Sequence, residues 1–410
     1  MISRVFNFFK RQSSNFKVLL VQGIVIGHGT REGIVHTLTQ QYTSLYIVAL
    51  GASKVELGLI QSIGTATRIA ISAPIGRVID KVSLKKITFV GMMLEFLSVL
   101  MYALARNWYM IVPAIMLLSL STPTWGTAYH IFATDSLGDS DRATGFSVLS
   151  TISMVPTLVM PLLAAYIIET FGGLKSEGIR PLFYIQFIIL VPVSLWVYWN
   201  LKEPKRERPK DTPNLLQSLK KFVVLEKGLR MWLLVGVFDS FAMFAFTFLN
   251  VYAVEVKGAT TSIIALMGVA SNLASVLFMI PFGRLADRIG RKPCLYIGLI
   301  PTWAWILLLI YSPSPQWLIL SSVFGGAYIA NWFLWNAITM ELVPEHLRGS
   351  YEGTLAFISG ISSMVATTVG GFLWETVGPS SIFLITLAFE TMAIALTSTI
   401  PETLIKESNP

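Results

Sequence analysis

Cysteine is nearly missing from these 410 residues: Cys294 stands alone. That excludes an intramolecular disulfide and a thiolate-held metal cluster. Charge is scarce too, at 13% of residues, where soluble domains carry about 25%. Apolar types make up 54%, and mean hydropathy is +0.65. So small a polar stock cannot cover the surface of a water-soluble globule. A soluble enzyme, a disordered chain and a nucleic-acid-binding module are excluded together, despite the net charge of +8. No Gly-Lys dipeptide is present to build a phosphate-cradling loop, which removes a single-chain ATP-driven pump. There is no His-Glu-x-x-His spacing, and no Ser–His or paired-Asp arrangement on one helix. The sequence therefore gives no reason to expect an enzyme, a cofactor or a bound metal.

What is abundant is the long apolar run. Crossing about 30 Å of hydrocarbon takes roughly 20 residues in a helix. Twelve runs qualify, at about 17–49, 55–79, 87–105, 108–133, 146–171, 182–201, 231–256, 260–282, 293–311, 316–340, 352–377 and 380–400. Membrane β-strands would be about half as long and strictly alternating, so the expected fold is an all-α membrane protein with twelve transmembrane helices. Residues 1–16 lack a small-x-small cleavage site and lead into an uncleaved first span. With the N-terminus in the cytoplasm, 24 Lys and Arg fall on the inner side and 5 on the outer. That imbalance predicts both termini inside the cell membrane.

The chain also repeats. Gly76, Asp80 and Lys81 recur 207 residues later as Gly283, Asp287 and Arg288, and Gly51-Ala52-Ser53 recurs as Gly258-Ala259-Thr260. Asp135, Asp139 and Arg142 match Glu341, Glu345 and Arg348 at an offset of 206, as Glu169 to Gly172 match Glu375 to Gly378. Landmarks this far apart hold register to one residue, which predicts two pseudo-symmetric six-helix halves in parallel orientation. Residues 1–203 form the expected N-terminal half and 230–410 the C-terminal half. The intervening 204–229 form a charged cytoplasmic linker, in which Leu215, Leu216, Leu219, Phe222 and Val223 make one stripe of an amphipathic surface helix.

The connection after the eighth span reads Gly283-Arg284-Leu285-Ala286-Asp287-Arg288-Ile289-Gly290-Arg291-Lys292. Gly283 is expected to let two helix ends approach closely. Asp287 is expected at a neighbouring helix N-terminus or paired with Arg288, with Arg291 and Lys292 anchoring the loop at the inner membrane face. With the repeat, the twelve spans and the basic linker, this loop makes the chain resemble the major facilitator superfamily along its whole length. The resemblance implies a monomeric transporter whose loop residues Gly76, Asp80, Lys81, Gly283, Asp287, Arg288, Gly290 and Arg291 act in gating. The first copy departs from the pattern, because Val82-Ser83-Leu84 stand where the second glycine and arginine belong. The Arg of the proton-antiporter branch is missing from span four. Pro401-Glu402-Thr403 is similar to the tail of sugar porters but occurs in many branches.

A charge at membrane depth costs about 2.5–3.5 kcal/mol on insertion scales, so each one is a candidate for function. Glu32 and Asp239 lie 207 residues apart, at repeat-equivalent places on spans one and seven. By the resemblance these spans line the central cavity. On a continuous helix His28, Glu32 and His36 share one face, giving a carboxylate flanked by imidazoles, suited to carrying protons. The alternative is a polar clamp between helices, in which Arg68 is the better partner for Glu32 than Arg31. Two histidines about 12 Å apart along a helix do not share a metal ion. Arg68 needs a carboxylate nearby, Glu32 or Glu95 by depth. Glu95 and Glu390 lie on spans three and twelve, which the resemblance places outside the cavity, and a structural role or simple protonation is expected for both.

Spans four and ten form another matched set: Trp125, Tyr129 and His130 correspond to Asn331, Trp335 and Asn336. Aromatic faces with a few amides suit an organic solute. With Trp332, Arg31 and Gln40 these residues are the expected substrate-cavity lining, and lipid-interface or packing tryptophan is the alternative. The expected function is proton-coupled secondary transport of a small organic molecule across the lipid bilayer, with export of an amphipathic compound ahead of metabolite or sugar uptake. A transporter-like sensor without ion coupling is the other reading. The coupling residues would be Glu32, Asp239, His28, His36 and Arg68.

Overall fold

The computed structural model describes residues 11–27, 32–138, 141–203, 227–242, 244–331, 333–344 and 348–402. All regular structure among them is helical. Ten helices are long and apolar enough to cross a membrane, from Leu84–Leu104 to Pro379–Thr399, which makes this a multi-pass membrane protein. The first two expected spans depart from that pattern. The first is divided into α1 (Ser14–Val25), α2 (Gly33–Gln40) and α3 (Thr43–Ala49). The second is α4 (Lys54–Lys81), 28 residues long but carrying Glu56, Arg68, Arg77 and Asp80. The linker stripe from Leu215 to Val223 lies outside the described residues.

The break after α1 has a local cause. Ile26 and Gly27 both donate their amides to Gln22 O (2.7 and 3.1 Å), closing the helix in the manner of a glycine C-cap. Gly27 and Gly33 sit at φ +99° and +80°, where side-chain-bearing residues are strained. A Cβ on Gly33 would also lie 2.6 Å from the Gly27 nitrogen.

Two compact units result, the first from Met1–Gly51 and Ala70–Thr212, the second from Ala52–Ile69 and Pro213–Pro410. In the first, α5 (Leu84–Leu104) packs along α6 (Ile111–Ser136), and both α1 and α2 have partners in α7 (Arg142–Met154) and α8 (Pro156–Thr170) respectively. Helix α9 (Ser176–Asn200) closes against α5. In the second, α10 (Lys227–Ala242) is followed by α11 (Phe244–Glu255), α12 (Thr261–Ile289), α13 (Arg291–Tyr311), α14 (Trp317–Asn331), α15 (Phe333–Leu342), α16 (Arg348–Thr376) and α17 (Pro379–Leu396). Here α14 packs on α12 and α13, while α17 packs on α10 and α13. The start of α4 also belongs to this unit: Ser62 Oγ donates to Met364 O (2.7 Å) and meets the Thr367 and Thr368 hydroxyls at 2.7 and 2.8 Å.

The sequence repeat recurs as repeated backbone geometry. Gly51 and Gly258 both have positive φ (+96° and +69°), as do Gly172 and Gly378 (+119° and +125°). Ser98 on α5 donates to Ala114 O on α6 (2.7 Å), and Ser321 on α14 donates to Trp305 O on α13 (2.8 Å). Each residue of the second bond lies 207 positions beyond its counterpart in the first, with donor and acceptor exchanged.

Helices α5 and α13 are also tied at both ends in the same way. Glu203 accepts from the amides of Leu84 (2.8 Å) and Lys85 (3.1 Å), and Glu402 from those of Arg291 (2.8 Å) and Lys292 (3.1 Å). Negative charge there satisfies orphan amides and favours the positive helix end. At the opposite ends Arg180 Nη2 donates to Ala105 O (3.0 Å), and Lys257 Nζ to Ile310 O and Ser312 O (2.5 and 3.3 Å). Glu402 is the acid of the Pro-Glu-Thr tail, which thereby acquires a structural reason.

Replacing Glu203 or Glu402 by Ala is expected to cost about 1 kcal/mol of stability each, as for a lost helix cap. The two losses should add, because the sites lie in different units. Thermal unfolding of the single and double variants in detergent checks this; equal melting temperatures for all four proteins would show that the caps contribute nothing.

Candidate functional site

In the first unit the polar side chains at membrane depth gather around Glu95, which is fully buried on α5. Trp125 Nε1 donates to Glu95 Oε2 (2.8 Å) and Ser121 Oγ donates to the same oxygen (3.4 Å). His36 Nε2 stands 3.1 Å from Oε1, an ion-pair distance whose alignment falls short of a hydrogen bond. The imidazole of His36 thus stands against the carboxylate inside the same cluster. The indole of Trp125 is held close by Gly91, where a Cβ would come within 2.8 Å of the Trp125 backbone nitrogen.

The helix break changes the expected stripe. His36 lies on α2, but Glu32 is the extended residue preceding that helix (φ −99°, ψ −177°). Glu32 and His36 therefore do not share one continuous helix face, and His36 stands against Glu95. Glu32 sits at the positive end of α2 and acts electrostatically on the buried Tyr129, whose hydroxyl donates to Leu19 O (3.3 Å). Arg68 is exposed on α4, and Glu95, one of the two carboxylates expected to serve it, is engaged by His36. His28 and Arg31 lie outside the described residues.

The second unit holds a different arrangement at the corresponding place. Glu390 on α17 and Asp239 on α10 are buried, 3% and 8% exposed. Tyr328 on α14 donates its hydroxyl to Glu390 Oε1 (2.7 Å). Asp239 acts electrostatically on both Glu390 and Tyr328. Phe389, beside Glu390, stacks on Phe241 of α10 (ring centroids 4.9 Å apart). Glu390, Tyr328 and Asn331 line a small cavity with Gly298, Thr302 and Trp335.

The expected substrate lining is divided. Trp125 and Tyr129 are buried in the first unit, whereas His130 and Gln40 are exposed. Asn331 is buried; Trp335 is half-buried and stacks on Trp232 (4.9 Å); Asn336 is exposed; Trp332 lies outside the described residues.

The loop residues also differ from expectation. Asp287 pairs with Arg291 (2.5 Å) rather than Arg288, and Arg291 reaches Glu341 as well (3.1 Å). Arg291 thus joins the loop to the end of α15 instead of anchoring it only at the membrane face. Gly290 turns the chain at φ +109°. A Cβ on Gly283 would meet nothing within 4 Å, so no close helix approach requires this glycine here. Arg288 and Lys81 are exposed, and Gly76 and Asp80 lie on α4.

Three features escaped the sequence reading: the Tyr328–Glu390 bond, the His36–Glu95 pair and the tight glycines Gly91 and Gly298. The glycines could have been found, since they too lie 207 residues apart. The pairings of the two acids could not, because Glu95 and Glu390 have no acidic counterpart in the other half to mark a shared site.

A family model described as Major Facilitator Superfamily matches residues 34–274 and 240–410. An uncharacterised MFS-type transporter of Methanocaldococcus jannaschii is 26% identical over 358 residues, covering 83% of this chain and 84% of that protein. A multi-drug resistance efflux pump of Streptococcus pneumoniae is 30% identical over 129 residues, 31% of this chain and 32% of the pump. The crystal structure of the nucleoside transporter NupG superposes with a TM-score of 0.75 at 14% identity, covering 94% of this chain and 98% of that one.

Replacing His36 by Ala is expected to leave Glu95 buried without the imidazole that stands against it, a loss of about 3–5 kcal/mol. The double change His36→Ala with Glu95→Gln should recover most of that, because a neutral amide oxygen still accepts from Trp125. Thermal unfolding of the three variants measures the coupling; a double variant no more stable than His36→Ala would refute the pairing.

Proposed function

The chain belongs to the Major Facilitator Superfamily, a family of secondary active, alternating-access transporters of small solutes, and on that premise we propose that it is coupled to protons and exports an amphipathic organic compound. The observation that carries the coupling is the buried Asp239, one of whose carboxylate oxygens has no hydrogen-bond partner. Such a group at membrane depth is expensive unless it takes up a proton or a cation. Glu32, its repeat counterpart, heads a half-helix in the first unit and supplies the second candidate carrier, with His36 beside the neighbouring Glu95.

The aromatic residues of spans four and ten support an organic solute with an apolar body, through Trp335 and the exposed His130 and Asn336. The 129-residue likeness to an efflux pump favours export. The likeness in fold to a nucleoside transporter favours the alternative, uptake of a metabolite or sugar. In either direction the working molecule is read as a monomer of two six-helix halves, residues 1–203 and 230–410. The linker and both termini lie on the cytoplasmic side of the cell membrane, and the Gly283 to Arg291 loop and its first-half copy act in gating.

Purified protein in vesicles tests this with a panel of amphipathic compounds and metabolites. Accumulation should require a proton gradient, collapse when it is dissipated, and fall at least about tenfold in Asp239→Asn and Glu32→Gln. Undiminished accumulation driven by sodium alone would refute proton coupling. Full transport by the double variant would refute ion coupling through these acids altogether.

A further inference from the structure

The two units place different chemistry at one repeated position. Gly91 and Gly298 lie 207 residues apart, and each is met by a residue of the next span, Trp125 in the first unit and Asn331 in the second. In the first unit the backbone and Cβ of Trp125 approach Gly91, and its indole donates to Glu95, which stands against His36. In the second, the smaller Asn331 stands there instead, its amide nitrogen only 1.8 Å from where a Gly298 Cβ would lie. A cavity of about 10 Å³ remains, lined by Gly298, Thr302, Tyr328, Asn331 and Glu390. That is room for about one water-sized particle, far too small for an organic solute.

The surroundings of this cavity are short of positive charge. Asn331 is 5% exposed and its Oδ1 has no hydrogen-bond partner; the same holds for Oδ1 of Asp239, which is 8% exposed. No Lys, Arg or His forms an ion pair with Asp239 or Glu390 among the described residues. The titratable groups that face the pair are each other and Tyr328. Helix α13 contributes Gly298 and Thr302, and α16 brings Leu355 and Ser359 towards Gly236 of α10. Where the first unit carries an imidazole against its buried carboxylate, the second has a carboxylate, a phenol and an amide oxygen lining a small cavity, and a second buried carboxylate, Asp239.

We propose that this cavity, with Tyr328, Asn331 and Glu390 in its wall, binds one monovalent cation, either a proton taken up by the Glu390 carboxylate or a sodium ion held by oxygens of Glu390 and Tyr328 with Asn331 Oδ1, the buried Asp239 of the same unit adding its negative charge. The inference rests on the coupled-transporter reading and narrows it: the coupling cation is held in the second unit, while Glu95 of the first already has His36, Trp125 and Ser121 against it and is structural. A divalent ion is poorly suited. Calcium takes about six to eight oxygens and magnesium keeps several waters, and this cavity has room for neither. If the ion is a proton, an O–H bond forms on a carboxylate oxygen as hydronium gives up its proton and leaves as water, and the reverse transfer releases it.

Melting temperatures of the full chain in detergent test the site, because a ligand of the folded state raises them by mass action. Sodium is titrated against choline at constant ionic strength, and separately pH is raised from about 5 to about 8, a range that brackets an ordinary imidazole. A saturable rise with sodium, or a fall as pH removes the bound proton, should be seen in the native protein and identifies the source. Either effect should vanish in Glu390→Gln and in Asp239→Asn and persist in Glu95→Gln. Asn331→Ala should abolish the sodium effect but not the pH effect. The proposal is overturned if neither cation shifts the native protein, or if the shift survives in the Asp239→Asn/Glu390→Gln double variant and disappears in Glu32→Gln. Vesicle transport separates the two readings: a cation shift with no cation-driven transport keeps the site and removes the coupling. Cation-driven transport that is unchanged in Glu390→Gln keeps the coupling and removes the site.

Discussion

A carboxylate below the membrane surface must be neutralised where it stands, since no bulk water is there to solvate it. That constraint organises the polar interior of both units. Glu95 meets it with an imidazole, an indole N–H and a hydroxyl, all supplied by the chain. Glu390 has only the Tyr328 hydroxyl and the unwelcome company of Asp239. A phenol donor stabilises one negative charge partially; it does not balance two. The first cluster is therefore closed, and the second is complete only with a positive charge from outside.

Duplication explains how one fold came to hold both solutions. The backbone contacts are alike in kind between the copies: paired positive-φ glycines, the exchanged Ser98 and Ser321 bonds, and carboxylate caps at the starts of α5 and α13. These contacts fix where spans three and four, and nine and ten, touch. Side chains inside that frame are free to diverge. Gly91 meets Trp125 and Gly298 meets Asn331, and in the second unit a small cavity lies against Gly298 and Asn331.

Much of this could be read from the residues. The all-helical membrane class, the repeat and the loop motif follow from hydropathy and register, which are properties of the chain's own order. The division of the first span was hidden by its apolar character, although Gly27, Gly29 and Gly33 signalled it. Treating residues 17–49 as one helix put Glu32 and His36 on one face, whereas Glu32 precedes α2 and His36 lies on it, against Glu95. Depth along a span is legible in sequence; which neighbouring span a side chain faces is not. Glu95 and Glu390 were accordingly assigned a passive place by resemblance, because their partners, His36 and Tyr328, lie 59 and 62 residues away in sequence.

The rigid and the yielding parts of each unit are distributed to match. Helices α5 and α13 are tied by carboxylates at their starts and by Arg180 or Lys257 at their ends. A helix fixed at both ends keeps its mid-depth residues at constant height, which suits a span that carries Glu95 in one unit and Gly298 and Thr302 in the other. Glu32, by contrast, stands at a break between two short helices, at the positive end of α2, where a helix dipole favours negative charge. A carboxylate already stabilised by a helix terminus gains less from binding a cation than one enclosed beside a second carboxylate. By that argument the symmetric positions of Glu32 and Asp239 hide an unequal division of labour, with the stronger demand for a cation falling on the second unit.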